Sequence, residues 1–466
     1  MGRPMRIDSL MSIAVRIASA GALYMGLALT VFCGVSNARA ALPIQAWHTA
    51  SGAKVLFVQS DAIPMLDVRI EFDAGSRFDP TGKAGLAALT ADMLDTGTEA
   101  AGTQAALSES QIADRFADIG AQQSILAGRD YATVSLRTLV TAGALRRATD
   151  TLAQCLQHPS FPEAVLTREK GRLIAGIQEA DTKPEVVAQK ALWRSMYAAH
   201  PYGITASPRS VAAIDRKDIV GFYRNAYSAR RAVIAMVGAI TRDQAEQIAA
   251  QLSAGLPPGG VLPDLPPVSP LPGALSIDLP HPAEQAHILI GQPAIARNDP
   301  DYFPLLVGNY ILGGGGFVSR LTQEVREQRG LTYGVTSQFM PLRQAGPFVI
   351  GLQTRRDRAA QALRVVRATL DRFIQEGPSA AELQAAKDNL VNGFALRIDS
   401  NRKLIANVAA IGFYDLPLDY LDTWTQRVKQ VTLADIRQAF ARHLDPARMA
   451  TVVVGPTNVA AAAKSQ

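Results

Sequence analysis

Two stretches of the chain, 217 positions apart, align without a gap over twenty-six residues. They are IDRKDIVGFYRNAYSARRAVIAMVGA, Ile214 to Ala239, and VTLADIRQAFARHLDPARMATVVVGP, Val431 to Pro456. Asp218 meets Asp435, Ile219 meets Ile436, Arg231 meets Arg448, Val237 meets Val454 and Gly238 meets Gly455, while Tyr223 faces Phe440. In each, an Asp or Thr near the start suits a helix N-cap, and apolar residues follow at helical spacing. A polar turn then leads into a β-branched, wholly apolar strand ending in Gly. Two helix–turn–strand units can match by chance, but the shared register favours duplication of a large domain. The repeat distance is far too long for a solenoid unit.

Between the two stretches lies GLPPGGVLPDLPPVSPLPG, Gly255 to Gly273. Its proline density forbids helix and central strand, so it reads as a semi-rigid extended linker. The halves are then 41–254 and 274–460. Each opens with strand-like segments (Lys54 to Val58, Leu66 to Phe72, His287 to Gly291) and continues with long helical patterns (Pro162 to Ala180, Ala380 to Arg397). Strands followed by packed helices, done twice, predict an α+β fold: two homologous α/β domains, each a mostly antiparallel sheet with helices on one face.

The first forty residues stand apart. Arg3, Arg6 and Arg16 precede an apolar run from Ile17 to Val35, and Ala38-Arg39-Ala40 forms an A-x-A cleavage site. This predicts a secretory signal peptide cut after Ala40 and a periplasmic product, the alternative being an uncleaved inner-membrane anchor. Removing four Arg and one Asp lowers the formal charge from +6 to +3, too balanced for nucleic acid or an anionic surface. Cys33 falls inside the leader, where the preceding Phe32 argues against a lipoprotein site, so Cys155 is left alone and an intrachain disulfide is excluded.

The segment GLAALTADMLDTGT, Gly85 to Thr98, resembles the zinc-binding helix of the pitrilysin/insulinase peptidases, whose inverted motif H-x-x-E-H supplies two His ligands and a Glu base. The frame matches at Ala74 to Arg77, in the Gly-Lys-Ala-Gly approach, at Met93-Leu94 and at Gly97-Thr98. The motif itself does not: its five positions read Ala88, Leu89, Thr90, Ala91 and Asp92. The family's third ligand is a Glu on a later helix, and aligning REKGRLIAGIQEADTKP, Arg168 to Pro184, places Gly176 there. Glu179 could be recruited only by a register shift, and Glu169 reads as a solvated charge. Alanine and glycine cannot coordinate a metal, and a lone Asp92 is ordinarily a surface or cap residue. A zinc site needs about three protein ligands and a water. HPAEQAH, His281 to His287, mimics a metal motif, but its histidines are six apart and lead into a strand; the remaining histidines are scattered, with His200 in an HPYG phrase common in the family.

In contrast, GGGGFVSRLTQEVREQRGLTYGV, Gly313 to Val335, closely resembles the family's C-terminal signature. Its glycines permit unusual backbone, a polar helix is expected over Ser319 to Gln328, and a strand is expected from Leu331 after Gly330. The resemblance implies that an Arg and a Tyr seven positions apart reach from this half toward a zinc site, which selects Arg326 and Tyr333. Arg offers a planar fork of donors and Tyr a hydroxyl for a developing oxyanion. Read without the resemblance, Arg326 belongs to a charged, solvated helix face and Tyr333 to strand packing. The glycines lack the lysine of a phosphate-binding loop.

The resemblance therefore implies a clamshell-like, catalytically incomplete subunit of a two-chain zinc metallopeptidase. Zinc and the Glu base would sit in a homologous partner, a peptide would be enclosed between the chains, and this chain would hold no cofactor of its own. A non-enzymatic scaffold or peptide-binding clamp of the same family is the rival. A self-sufficient peptidase with a different metal site finds no His cluster in the sequence.

Overall fold

The computed structural model describes residues 43–455. The stretch expected to be a signal peptide, Cys33 and the last residues of the second half, from Pro456 on, lie outside them.

Two mixed sheets are built in sequence order. The first joins β1 (Gln45–His48), β2 (Lys54–Gln59), β3 (Met65–Phe72), β4 (Gln122–Ala127), β5 (Ala132–Leu139) and β6 (Ala232–Gly238) in the spatial order β1-β2-β6-β3-β5-β4. The second joins β7 (Leu275–Pro280), β8 (Gln285–Ile295), β9 (Val335–Phe339), β10 (Gly346–Arg355) and β11 (Ala450–Gly455) in the order β7-β11-β8-β10-β9. Without β1, the two orders are the same. In both, the returning last strand pairs parallel with the first (β2 with β6, β7 with β11) and every other pairing is antiparallel. The aligned segments coincide element by element: helix Arg216–Ala226 with Leu433–His443, turn Ala229–Arg231 with Pro446–Arg448, then β6 with β11. Each helix opens with a capping box, Asp215/Asp218 in one and Thr432/Asp435 in the other. The α+β duplication read from the sequence is thus repeated in topology and in local hydrogen bonding.

The expectation of helices on one face of each sheet is corrected. β6 is buried at all seven positions, so both faces are covered. Ile234 and Met236 join the core of the first half's own helices. Val233 and Leu56 meet Gly412 of helix Asn401–Phe413, which belongs to the second half; a Cβ on Gly412 would lie 2.4 Å from Val233. The exchange is reciprocal. Helix Pro184–Met196 of the first half lays Ala188, Leu192, Trp193 and Met196 on Ala450, Val452 and Val454 of β11. A helix given to the opposite sheet covers the second face of a strand whose residues are apolar on both sides. Burying each large side chain there contributes roughly 1.5–3 kcal/mol.

Polar contacts join the halves as well. Asp130, 2% exposed, accepts hydrogen bonds from Arg77 Nη1 (3.0 Å) and the Tyr202 hydroxyl (2.5 Å) on its own side. From the second half it accepts the Arg343 backbone N–H (2.7 Å) and the Tyr414 hydroxyl (3.0 Å). Residues 255–273 carry no helix or strand and are held to both halves, Arg231 donating to Gly260 O and Val268 N–H to Gln344.

Candidate functional site

Helix Leu86–Asp92 is started by Gly85, whose φ of 105° places it in the left-handed region. Asp79 substitutes for a capping side chain by accepting the Gly85 and Ala87 N–H groups at 2.8 Å each. Burial pushes the Asp79 carboxyl up to about 6 against the pull of those bonds. The helix delivers Ala91 and Asp92 to a cleft of about 390 Å³, whose other wall is helix Glu163–Ala180. Glu169 and Gly176, seven residues and so about two turns apart, both line it. A Cβ on Gly176 would meet no atom within 4 Å, so the cleft keeps space where a side chain is absent. Ala88, one turn before Asp92, is half-buried and is not part of the cleft wall.

Glu169 corrects its sequence reading. It is 7% exposed, not solvated, and pairs with Arg168 (2.9 Å) and Arg172 (3.2 Å). Asp92 is itself exposed at the mouth of the cleft; partial desolvation of its carboxyl, and then the charge of Glu169, push it up to about 6. Glu179 lies outside the cleft and pairs with Lys183 at 3.0 Å. The donor set does not fit zinc: the cleft offers oxygen atoms without imidazole or thiolate, and its most buried carboxylate is already neutralised by two guanidinium groups.

The histidines form no cluster with one another among the described residues, and one of them meets two carboxylates. His443 Nε2 lies 2.9 Å from Asp301 and 3.7 Å from Asp299, the one such grouping with metal-ligand character among the described residues. Both Asp301 oxygens also receive Arg442, at 2.7 and 2.9 Å, so the cluster is an ion-pair tie between two helix ends. His281 accepts the Ala283 N–H just ahead of β8, and His200 accepts the Tyr202 N–H in a buried turn. Cys155 is buried, and burial raises its thiol to about 12.

In the second half the glycine-rich segment is wound more widely than an α-helix. Tyr310–Gly314 and Thr322–Glu327 are π-helical, a form that recurs at functional sites. Gly316 (φ 63°) turns the chain between them, and Gly330 (φ 58°) ends the second. The strand expected from Leu331 starts only at Val335, because the Thr332 hydroxyl donates to Gln353 O of β10 and accepts the Gly334 N–H, holding this stretch as a loop. That loop sets Tyr333 outward, 88% exposed, at the rim of a 770 Å³ cavity floored by β8 and β10. Arg326 stands beside it with its guanidinium carbon 5.1 Å from the Tyr333 ring centre. Arg326 and Tyr333 are thus brought together. They share no cavity wall with Asp92 and Gly176: the cleft is lined by the first half alone, and the cavity by the second half with Glu185 and Ala188. The proximity of Glu169 to Asp92 was missed from the sequence, although its two-turn offset from Gly176 carried the signal.

The insulinase (peptidase family M16) model matches residues 54–207, and the model described as peptidase M16 inactive domain matches 213–390. A solved structure of a peptidase M16 inactive domain from Pseudomonas fluorescens is 37% identical, with a TM-score of 0.84, covering 90% of this chain and 98% of that one. An uncharacterized zinc protease of Streptomyces coelicolor is 26% identical over 349 residues, 72% of this chain and 74% of that one. A protein of Helicobacter pylori named non-peptidase homolog YmxG is 24% identical over 429 residues, 90% of this chain and 95% of that one. With both models matched in tandem over the two halves, the chain belongs to the M16 insulinase family, as a catalytically incomplete member.

Proposed function

We propose that this chain is the zinc-free subunit of a two-chain metallopeptidase. It lends Arg326 and Tyr333 to a homologous, zinc-bearing partner that hydrolyses peptides enclosed between the two chains. The reading is carried by an asymmetry. The motif positions hold Ala88, Ala91, Asp92 and Gly176, whereas the Arg326/Tyr333 pair is intact and adjacent, with Tyr333 at the rim of the 770 Å³ cavity and Arg326 beside it. An 88% exposed tyrosine in a tightly anchored loop makes little sense as packing and good sense as a donor awaiting an acceptor. Arg326 binds substrate carbonyl oxygens through its in-plane N–H groups, and Tyr333 donates to the oxyanion of the tetrahedral intermediate. Water activation and the general base belong to the partner. A periplasmic location for the assembly is part of this reading, supported by the leader-like pattern of the first forty residues.

A scaffold reading has one observation in its favour, the non-peptidase description of the Helicobacter pylori relative. The experiment that separates them is peptide hydrolysis by the purified mature chain, alone and then mixed with an H-x-x-E-H-bearing relative from the same genome. The two-chain reading expects turnover only in the mixture and sensitivity to chelators. A mixture no faster than the relative alone returns the chain to the scaffold class.

A further inference from the structure

The geometry points to Phe317 as a positioning residue for Arg326, an inference that rests on the two-chain reading above. Phe317 sits in the single turn Gly316–Val318 that follows the glycine run, and it is 67% exposed. An exposed phenylalanine on a glycine-rich turn would ordinarily be loose, but this one is fastened three times. Ser319 donates both its N–H (3.1 Å) and its hydroxyl (2.7 Å) to Gly316 O, and Gln323 donates its side-chain amide to Phe317 O at 2.7 Å. The last bond ties the turn to the π-helical segment that carries Arg326. The ring then lies 4.7 Å from the Arg326 guanidinium carbon, while the Tyr333 ring lies at 5.1 Å. The guanidinium carbon is thus within cation–π distance of two rings at once.

That arrangement decides which part of Arg326 is free. Its ion pair is a loose one, Nε to Glu327 at 3.4 Å. The neighbouring Glu324 is taken by Arg329 at 2.6 Å and approached by Arg372 at 3.7 Å. Aromatic stacking uses the face of the guanidinium and leaves the in-plane N–H donors unspent. Phe317 thus fixes the plane in which Arg326 offers those donors, which suits the carbonyl oxygens of an extended peptide backbone rather than a bulky side chain. Val318, 71% exposed beside it, extends the apolar edge.

The test uses Phe317→Leu, which keeps apolar bulk and loses the ring, and Phe317→Trp, which keeps a ring. In the isolated full chain, the Arg326 side-chain Nε–H resonance, assigned by its loss in Arg326→Lys, should carry a ring-current shift. That shift should collapse in Phe317→Leu and persist in Phe317→Trp. In the mixture with the zinc-bearing relative, Phe317→Leu should lower kcat/KM about three- to tenfold, whereas Phe317→Trp should stay near wild type. It should add nothing further in an Arg326→Ala background. A Phe317→Leu chain whose Arg326 resonance keeps the wild-type ring-current shift, or whose turnover is wild type while Arg326→Ala is crippled, overturns the Phe317 role alone. If Arg326→Ala itself turns over normally, or the mixture hydrolyses nothing, the two-chain reading falls and this inference with it.

Discussion

Tyr333 and Asp92 are the residues at which the account is most exposed to experiment, and they make opposite demands. Tyr333 is solvent-facing and contributes little to the fold, so Tyr333→Phe should leave thermal unfolding unchanged. Losing one oxyanion donor typically costs about a hundredfold or more in turnover, and the two-chain enzyme should show that loss without loss of assembly. Asp92, by contrast, lies in a cleft that raises its carboxyl to about 6 from an ordinary 3.8. A carboxyl with a raised folded-state pKa stabilises the fold fully only below its unfolded value, and the contribution is lost as pH rises through the folded value. Asp92→Asn imitates the protonated carboxyl. Its melting temperature should match wild type at pH 3.5 and exceed it only slightly at pH 7.5, because solvent screens the exposed side chain, with the gap opening between about pH 4 and 6. An unchanged difference across that range would mean that Asp92 is solvated and unaffected by Glu169.

The exchanged helices make a prediction at the level of elements. Leu192 is 1% exposed and packs on the strand face of the other half. Leu192→Ala should destabilise by about 2–5 kcal/mol in denaturant unfolding, as deep core truncations do, although its helix belongs to the first half. A cost under about 1 kcal/mol would show that the helix is only loosely docked. The sequence announced several elements well. β2 and β3 are apolar or alternating segments bounded by turns, helix Glu163–Ala180 follows a proline, and the matched segments held their register because their capping residues recur. It could not announce the exchange, since an apolar strip on Pro184–Met196 does not say which sheet it covers. Nor could it place Glu169, because one charged residue on a helix reads as solvated until the facing helix is known. The late start of β9 is similar: Leu331 and Thr332 have strand-forming side chains, yet the Thr332 hydroxyl bond to Gln353 O keeps them in a loop.

Across the whole molecule, the two halves are held by apolar helix exchange and by one buried carboxylate with four donors from both sides. Removing one member of a buried ion pair typically costs about 3–5 kcal/mol, because the remaining charge is stranded. Asp130→Ala should therefore destabilise by that order, leaving Arg77 buried at 3% exposure with only Asp73 as a carboxylate partner. The same substitution should loosen the halves and raise protease cutting within 255–273, where gel-resolved fragments would report it. Unaltered cutting would assign the coupling to the helices alone. A rigid coupling matters for the proposal, since Arg326 and Tyr333 must meet a site on another polypeptide and can do so only from a fixed frame.

Metal content and peptide turnover, measured together on the purified mature chain and on its equimolar mixture with an H-x-x-E-H-bearing relative, test the central claim most directly. The account predicts neither stoichiometric zinc nor cleavage for the chain alone, and chelator-sensitive cleavage in the mixture that Tyr333→Phe suppresses. Tightly bound stoichiometric metal in the isolated chain, accompanied by cleavage that chelators stop, would contradict it.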